Sequence, residues 1–200
     1  MIEIINNIIS NVLTAFYQPF WFSMMAAILS LFLYLYVKEH GWREALRHWI
    51  ISFKMSGRFR RLFFLAFFVM LMLMRTLMNR NMWANPVSDV MGGWTLWNKD
   101  GELTTEAIEN VLLMMPYTAL LLWAFKERLL ERITLSKSLL QGIKCAFFTS
   151  ITIELLQLFL RLGTFQVSDI FYNSLGGLLG SLIYYLGFKM KGREQGKRRK

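Results

Sequence analysis

The sequence predicts an all-α, polytopic membrane protein: a helix bundle with about five transmembrane helices and amphipathic helices at the membrane surface. Of its 200 residues, 55% are hydrophobic and 16% aromatic. Several apolar runs come close to the roughly 20 residues that a helix needs to cross a bilayer. The Lys and Arg residues lie between and beyond these runs, where the positive-inside rule accounts for them. The formal charge of +10 therefore reflects membrane topology, and we expect no nucleic-acid partner.

Five apolar runs predict the spans, within a single membrane domain over residues 1–188. The fourth run is the most polar, since it contains Lys144 and Glu154, and Pro116 in the third is expected to kink that helix. The predicted spans cover residues 20–37, 62–78, 108–125, 138–160 and 170–188.

The distribution of Lys and Arg predicts the orientation. The segments after the first span, after the third span and beyond residue 188 are rich in these residues, whereas the N-terminus, residues 79–107 and the turn after the fourth span are not. Because cytoplasmic loops carry the basic excess, the N-terminus is predicted outside and the C-terminus inside. Residues 189–200 form a basic cytoplasmic tail, and we expect its segment GREQGKRRK (192–200) to be disordered.

Two segments outside the spans have the pattern of surface helices. In residues 2–16 apolar side chains recur at helical spacing, with Asn and Ser opposite. In the first cytoplasmic loop, Trp42 and Trp49 oppose Arg43 and Lys54. The second helix should favour anionic lipid.

The outer segment WTLWNKDGELT contains an Asp-Gly turn signal, which predicts a short hairpin with Trp94 and Trp97 near the headgroups. No metal site and no cofactor are expected. The single Cys145 is interpreted as a small core residue, and His40 and His48 as interfacial side chains.

Polar side chains in the apolar helices mark the candidate site. Each such group costs a few kcal/mol in hydrocarbon unless it is paired, so intramembrane ionisable residues are functional candidates. Glu154 and Gln157 share a helix face at i and i+3, as do Asp169 and Asn173 at i and i+4. The predicted topology brings all of the candidates to the outer ends of their helices. The predicted ligand-binding residues are Arg75, Asn110, Glu154, Gln157, Asp169 and Asn173.

Arg75 is either a counter-charge for Glu154 or Asp169, or a side chain that extends to the headgroups. The three glycines Gly176, Gly177 and Gly180 predict the close approach of another helix, with Gly176 and Gly180 in a GxxxG spacing.

The residues from 109 to 185 resemble the VanZ-like family in its extended Gram-positive type. The most specific parts are the Glu-x-x-Gln ending at Gln157, the Asp-x-x-x-Asn ending at Asn173 and the following Gly-Gly. Upstream, MRTLMNR and NPVSDVMGGW extend the resemblance to about residues 60–188. Relatives often have a Gly-Arg after the Glu-x-x-Gln helix, whereas here Arg161 precedes Leu162 and Gly163, so the role of Arg161 stays open.

The resemblance implies a multi-pass protein of the cell membrane, related to one that gives low-level resistance to teicoplanin. Teicoplanin is a glycopeptide that binds the peptidoglycan precursor at the outer membrane face. The expected partners are membrane lipids and a lipid-linked cell-wall precursor. The ligand and the oligomeric state stay open.

Three functions are compatible with the sequence. In the first, the protein is a membrane accessory protein that acts on an envelope lipid or its precursor through the outer residues. In the second, it is an intramembrane enzyme, a hydrolase or phosphotransferase acting on a lipid headgroup, with Glu154 or Asp169 as acid or base. In the third, the same residues form a hydrogen-bonded network that only fixes helix packing.

Overall fold

The computed structural model describes residues 2–39, 41–78, 85, 87–95, 97, 103–160 and 163–197. This part of the chain is helical and contains no β-strand, which confirms the all-α prediction. The helices are α1 (Ile2–Glu39), α2 (Trp42–Met55), α3 (Gly57–Leu73), a π-helical turn (Met74–Met78), α4 (Glu106–Leu129), α5 (Leu135–Leu160) and α6 (Val167–Lys197).

Two of the described helices, α4 and α5, are long and apolar enough to cross a membrane. They cover the third and fourth predicted spans. The chain divides into two compact units, residues 10–79 and residues 1–9 with 80–200.

In the unit of residues 10–79, α2 and α3 meet at Ser56. Its Oγ accepts a hydrogen bond from Phe59 N at 3.2 Å and so caps the start of α3. The Trp49 ring of α2 stacks on Phe53 and meets Phe63 of α3 edge to face. These aromatic contacts pack the helix predicted in the first cytoplasmic loop against the helix that follows it.

Two predicted boundaries are wrong. Residues 2–16 and 20–37 were expected as a surface helix followed by a span, but α1 is one continuous helix. The residues between them contain a single Pro, which long apolar helices tolerate. The tail was expected to be disordered, but α6 continues through it to Lys197 because most of its residues are good helix formers.

The outer segment pairs Trp97 with Leu103 in an isolated antiparallel bridge, the pairing that a hairpin requires. Residues 98–102 between them lie outside the described residues, as do His40 and Arg161.

In the unit that holds residues 80–200, α6 packs along both α4 and α5. Gly176 lies against Val111 of α4 and, one turn later, Gly180 lies against Met115, so α4 and α6 are parallel. Helix α5 runs the opposite way between the same levels, as its contacts with α6 show below. Successive helices of this unit therefore alternate in direction.

The dihedral angles of α4 leave the helical range at Phe125 (φ −117°, ψ 23°). Pro116 lies within the same helix, and the kink predicted there stays a prediction. Phe125 lies at the end of the apolar run, where Lys126 begins the charged segment.

Candidate functional site

The interface between α5 and α6 begins with small residues. Gly142 lies against Ser181, and Gly177 lies against Ala146. A Cβ atom added at Gly177 would overlap the Cβ of Ala146, so the two backbones are as close as glycine allows.

Further along, the same interface becomes polar. Asn173 of α6 donates from Nδ2 to Ser150 Oγ of α5 at 2.8 Å, and both side chains are buried. The direction is antiparallel, since α5 proceeds from Gly142 to Ser150 while α6 recedes from Ser181 to Asn173. The Oδ1 atom of Asn173 has no hydrogen-bond partner among the described residues. It can therefore accept a further hydrogen bond.

Glu154 lies one turn beyond Ser150 and is only 2% exposed. Its Oε2 accepts a hydrogen bond from Gln166 N at 2.9 Å. Gln166 immediately precedes α6, so this carboxylate from α5 caps the N-terminus of a different helix. The free N–H groups and partial positive charge at that end stabilise a carboxylate oxygen.

Together these side chains form what we call the polar cluster, at the end of α5 and the start of α6. All are at most 6% exposed. Its members are Ser150, Glu154, Gln157, Ser168 and Asn173.

The segment 87–95 covers the start of α6. Val90 O accepts a hydrogen bond from Val167 N at 2.8 Å. Gly92 has a φ of 70°, and a Cβ there would overlap Ser168 Oγ, so only glycine allows this close approach without strain. Ser168 is 1% exposed, and its Oγ has no hydrogen-bond partner in the described part of the chain.

The same segment ends in an aromatic group. The Trp94 ring lies 5.4 Å from Phe171 and 6.1 Å from Tyr172, centroid to centroid. Tyr172 OH donates to Trp94 O at 3.3 Å.

Beside this aromatic group lies a partly open cavity of about 340 Å³ between the starts of α4 and α6, which we call the apolar cavity. It is lined by Trp94, Thr95, Ala107, Ile108, Val111, Leu112, Tyr172 and Leu175.

The predicted site residues fall into three groups. Glu154 and Asn173 form hydrogen bonds that join α5 to the start of α6, and Gln157 is buried on the same face of α5 as Glu154. Asp169 is half-buried in the first turn of α6, and Asn110 is half-buried on α4. Arg75 belongs to the unit of residues 10–79, in the π-helical turn, and its pairing with Glu154 or Asp169 stays a prediction.

Acid, base or ligand-binding roles for these residues likewise stay predictions. Among the residues that the structure describes, no three His, Cys, Asp or Glu side chains lie together as a metal site would require. The Thr152 hydroxyl, close to Glu154 in sequence, is exposed and donates to Phe148 O at 2.8 Å.

Sequence reasoning missed Ser150, Gln166 and Gly92. Ser150 had a signal, because Ser150, Glu154 and Gln157 follow one another at i, i+4 and i+7 on one helix face. Gln166 and Gly92 had none, since they act through a backbone N–H and through the lack of a side chain.

A protein-family model described as VanZ/LLP1 matches residues 21–188, and so includes the polar cluster, the glycines of α6 and the segment over them. The chain belongs to the VanZ/LLP1 family. The match confirms the predicted resemblance and begins well before residue 60, so the VanZ/LLP1 region also includes the second half of α1 and all of α2. The searches of curated proteins and of solved structures gave no match.

Proposed function

We propose that this VanZ/LLP1 protein crosses the cell membrane five times, with its N-terminus outside and its C-terminus inside. Its polar cluster and the neighbouring Asp169 and Asn110 bind the headgroup of an envelope lipid or a lipid-linked peptidoglycan precursor at the outer leaflet. By occupying or altering that lipid, the protein lowers susceptibility to glycopeptides such as teicoplanin.

The charge distribution of α4, α5 and α6 supports the orientation. Because α5 is antiparallel to the other two, its start lies at the same end as the ends of α4 and α6. That end carries Lys126 and Arg128 on α4, Lys137 at the start of α5, and Lys189 and Lys191 on α6. The positive-inside rule assigns such an end to the cytoplasm, and the polar cluster lies at the opposite end.

The observation that carries the proposal is the position of the polar cluster. Five buried polar side chains lie where α5 ends and α6 begins, beneath a covering segment and beside an apolar cavity. Two of them, Ser168 and Asn173, have buried atoms with no hydrogen-bond partner among the described residues. A lipid offers both an apolar chain and polar head atoms to such a combination.

The packing alternative is also supported by two contacts, because the bonds Glu154–Gln166 and Asn173–Ser150 join α5 to α6. The lipid-binding function and the packing role predict different results for a conservative substitution of Glu154. Glu154→Gln keeps an oxygen that can accept from Gln166 N, so the cap of α6 survives while the carboxylate charge is lost.

The test is the teicoplanin susceptibility of a sensitive Gram-positive host that carries the wild-type chain, Glu154→Gln or Thr152→Val. Membrane levels are matched by immunoblot. Thr152→Val is the control, because it removes an exposed hydroxyl two residues from Glu154. We expect reduced susceptibility with the wild type and the control, and full susceptibility with Glu154→Gln at an equal protein level.

Two results would contradict the proposal. Unchanged susceptibility with the wild-type chain removes glycopeptide resistance as its function. A Glu154→Gln variant that retains resistance removes the carboxylate from the site, and a variant that loses resistance only through lower protein levels supports a packing role.

A further inference from the structure

From the lining of the apolar cavity we infer that it binds one acyl chain of a membrane glycerophospholipid, with Trp94 at its rim. The inference rests on the proposed function, because it takes α4 and α6 to cross the membrane and the covering segment to lie at the outer leaflet. It adds the class of the bound molecule and the place of its hydrocarbon chain.

The cavity presents almost entirely apolar atoms to an occupant. Two of its lining residues carry hydroxyl groups, and both are bonded to the protein's own backbone. Thr95 Oγ1 donates to Trp97 O at 2.6 Å, and Tyr172 OH donates to Trp94 O at 3.3 Å. The other six lining side chains are apolar, apart from the indole N–H of Trp94. A sugar, a peptide or a free phosphate would lose its hydrogen bonds to water here without replacement.

The volume of the cavity suits a segment of one acyl chain. The cavity measures about 340 Å³. At about 30 Å³ for a group the size of a water molecule, it has room for roughly ten methylene groups. A cavity of this polarity does not retain water, because a bound water needs two to four polar partners. A segment of one acyl chain fills it.

The rim of the cavity is aromatic. Trp94 packs on Phe171 and Tyr172, so three aromatic rings lie together where the covering segment crosses α6. Aromatic side chains of this kind concentrate at the level of lipid headgroups. Two of these rings, Trp94 and Tyr172, also line the cavity, so its apolar wall continues into an aromatic rim.

The apolar cavity and the polar cluster lie on the same turn of α6. Tyr172 and Leu175 of α6 line the cavity, whereas Asn173 between them contacts α5. One turn of α6 thus borders hydrocarbon on one side and the polar cluster on the other. A phospholipid whose chain enters the cavity carries its headgroup to the same level of the membrane.

The test uses the full chain in liposomes that contain a phosphatidylglycerol with a photoactivatable diazirine in one acyl chain. Labelled residues are identified by mass spectrometry after illumination, with and without excess unlabelled phosphatidylglycerol. We expect saturable labelling at Ile108, Val111 and Leu175. Labelling at Leu140 and Phe148, which are 56% and 65% exposed on α5, should not saturate.

A matched pair of variants tests the cavity itself. Leu112→Trp fills it, whereas Leu140→Trp adds the same bulk to an exposed face of α5. We expect Leu112→Trp to reduce labelling of Ile108 and Leu175 to the level of Phe148, and Leu140→Trp to leave it unchanged. If Leu112→Trp does not fold, Ala107→Leu provides a smaller filling of the same space.

Three outcomes would overturn the inference. Equal labelling of the cavity residues and of the exposed faces means that the cavity does not bind an acyl chain specifically. Displacement of the probe by a polyprenyl phosphate at a lower mole fraction than phosphatidylglycerol means that the occupant is an isoprenoid. Cross-links from the cavity to a second copy of the chain mean that a protein surface covers it.

These outcomes are separable from the fate of the proposed function. The labelling contains no glycopeptide, so saturable labelling can persist when the wild-type chain fails to change teicoplanin susceptibility. Conversely, resistance that depends on Glu154, together with equal labelling of the cavity and of the exposed faces, would remove the acyl-chain site and leave the proposed function standing.

Discussion

The two ends of the α5–α6 interface are held together in different ways. At one end Gly142, Ala146 and Gly177 allow the backbones to touch, and the contact depends on the absence of side-chain atoms. At the other end Ser150 and Glu154 of α5 bond to Asn173 and to the start of α6. The first end should therefore fail when atoms are added, and the second when a specific acceptor or donor is removed.

The largest loss of stability is expected at the end of the interface where small residues let α5 and α6 touch. Gly177→Leu places a branched side chain where even a Cβ overlaps Ala146, and overpacking of this kind costs about 3 kcal/mol or more. We expect the variant to lose its monodisperse peak in detergent size-exclusion chromatography after mild heating. The control is Gly187→Leu on the same helix, where an added Cβ meets nothing within 4 Å. Equal losses in both variants would mean that close packing at Gly177 is unimportant.

The next largest loss of stability is expected when the hydrogen bond that caps α6 is removed. Glu154→Leu leaves Gln166 N without this acceptor, and an unsatisfied buried donor costs about 1–3 kcal/mol. Glu154→Gln keeps an acceptor oxygen, so its melting temperature in detergent should stay closer to that of the wild type. A Glu154→Leu protein as stable as Glu154→Gln would contradict the capping role.

A smaller effect is expected for the side-chain bond between the helices. A double-mutant cycle of Ser150→Ala and Asn173→Ala should give a coupling free energy of about 1 kcal/mol, as for hydrogen bonds in other membrane bundles. Denaturant unfolding in micelles measures it. Additive effects of the two changes would show that the bond contributes nothing to stability.

Gly92→Ala should destabilise the covering segment and increase its proteolysis, because the added Cβ clashes with Ser168 Oγ at a φ of 70°.

The smallest effect on stability is expected from Ser168→Ala. The buried Oγ of Ser168 has no hydrogen-bond partner among the described residues, so this change should alter stability by no more than about 0.5 kcal/mol. A large loss of stability from Ser168→Ala would indicate that the hydroxyl bonds a group beyond the described residues.

Much of the helical fold could be predicted from the sequence, because the length and spacing of an apolar run are local properties. Helices α4 and α5 include the predicted spans 108–125 and 138–160 within a few residues. The predicted break before residue 20 and the disordered tail were wrong. Pro19 does not end α1, and the helix-forming residues after position 188 extend α6.

Most of the helices, the polar residues within them and membership of the VanZ/LLP1 family could be read from the chain, since each follows from residue type and spacing. The packing of the folded chain brings Glu154 to the start of α6, Ser150 to Asn173 and Gly92 onto Ser168. The apolar cavity lined by Trp94 also forms only through this packing. These contacts join segments far apart in sequence, and a backbone N–H or a missing Cβ carries no residue-type signal. Their formation depends on how closely α5 and α6 approach, which is a property of the packed helices.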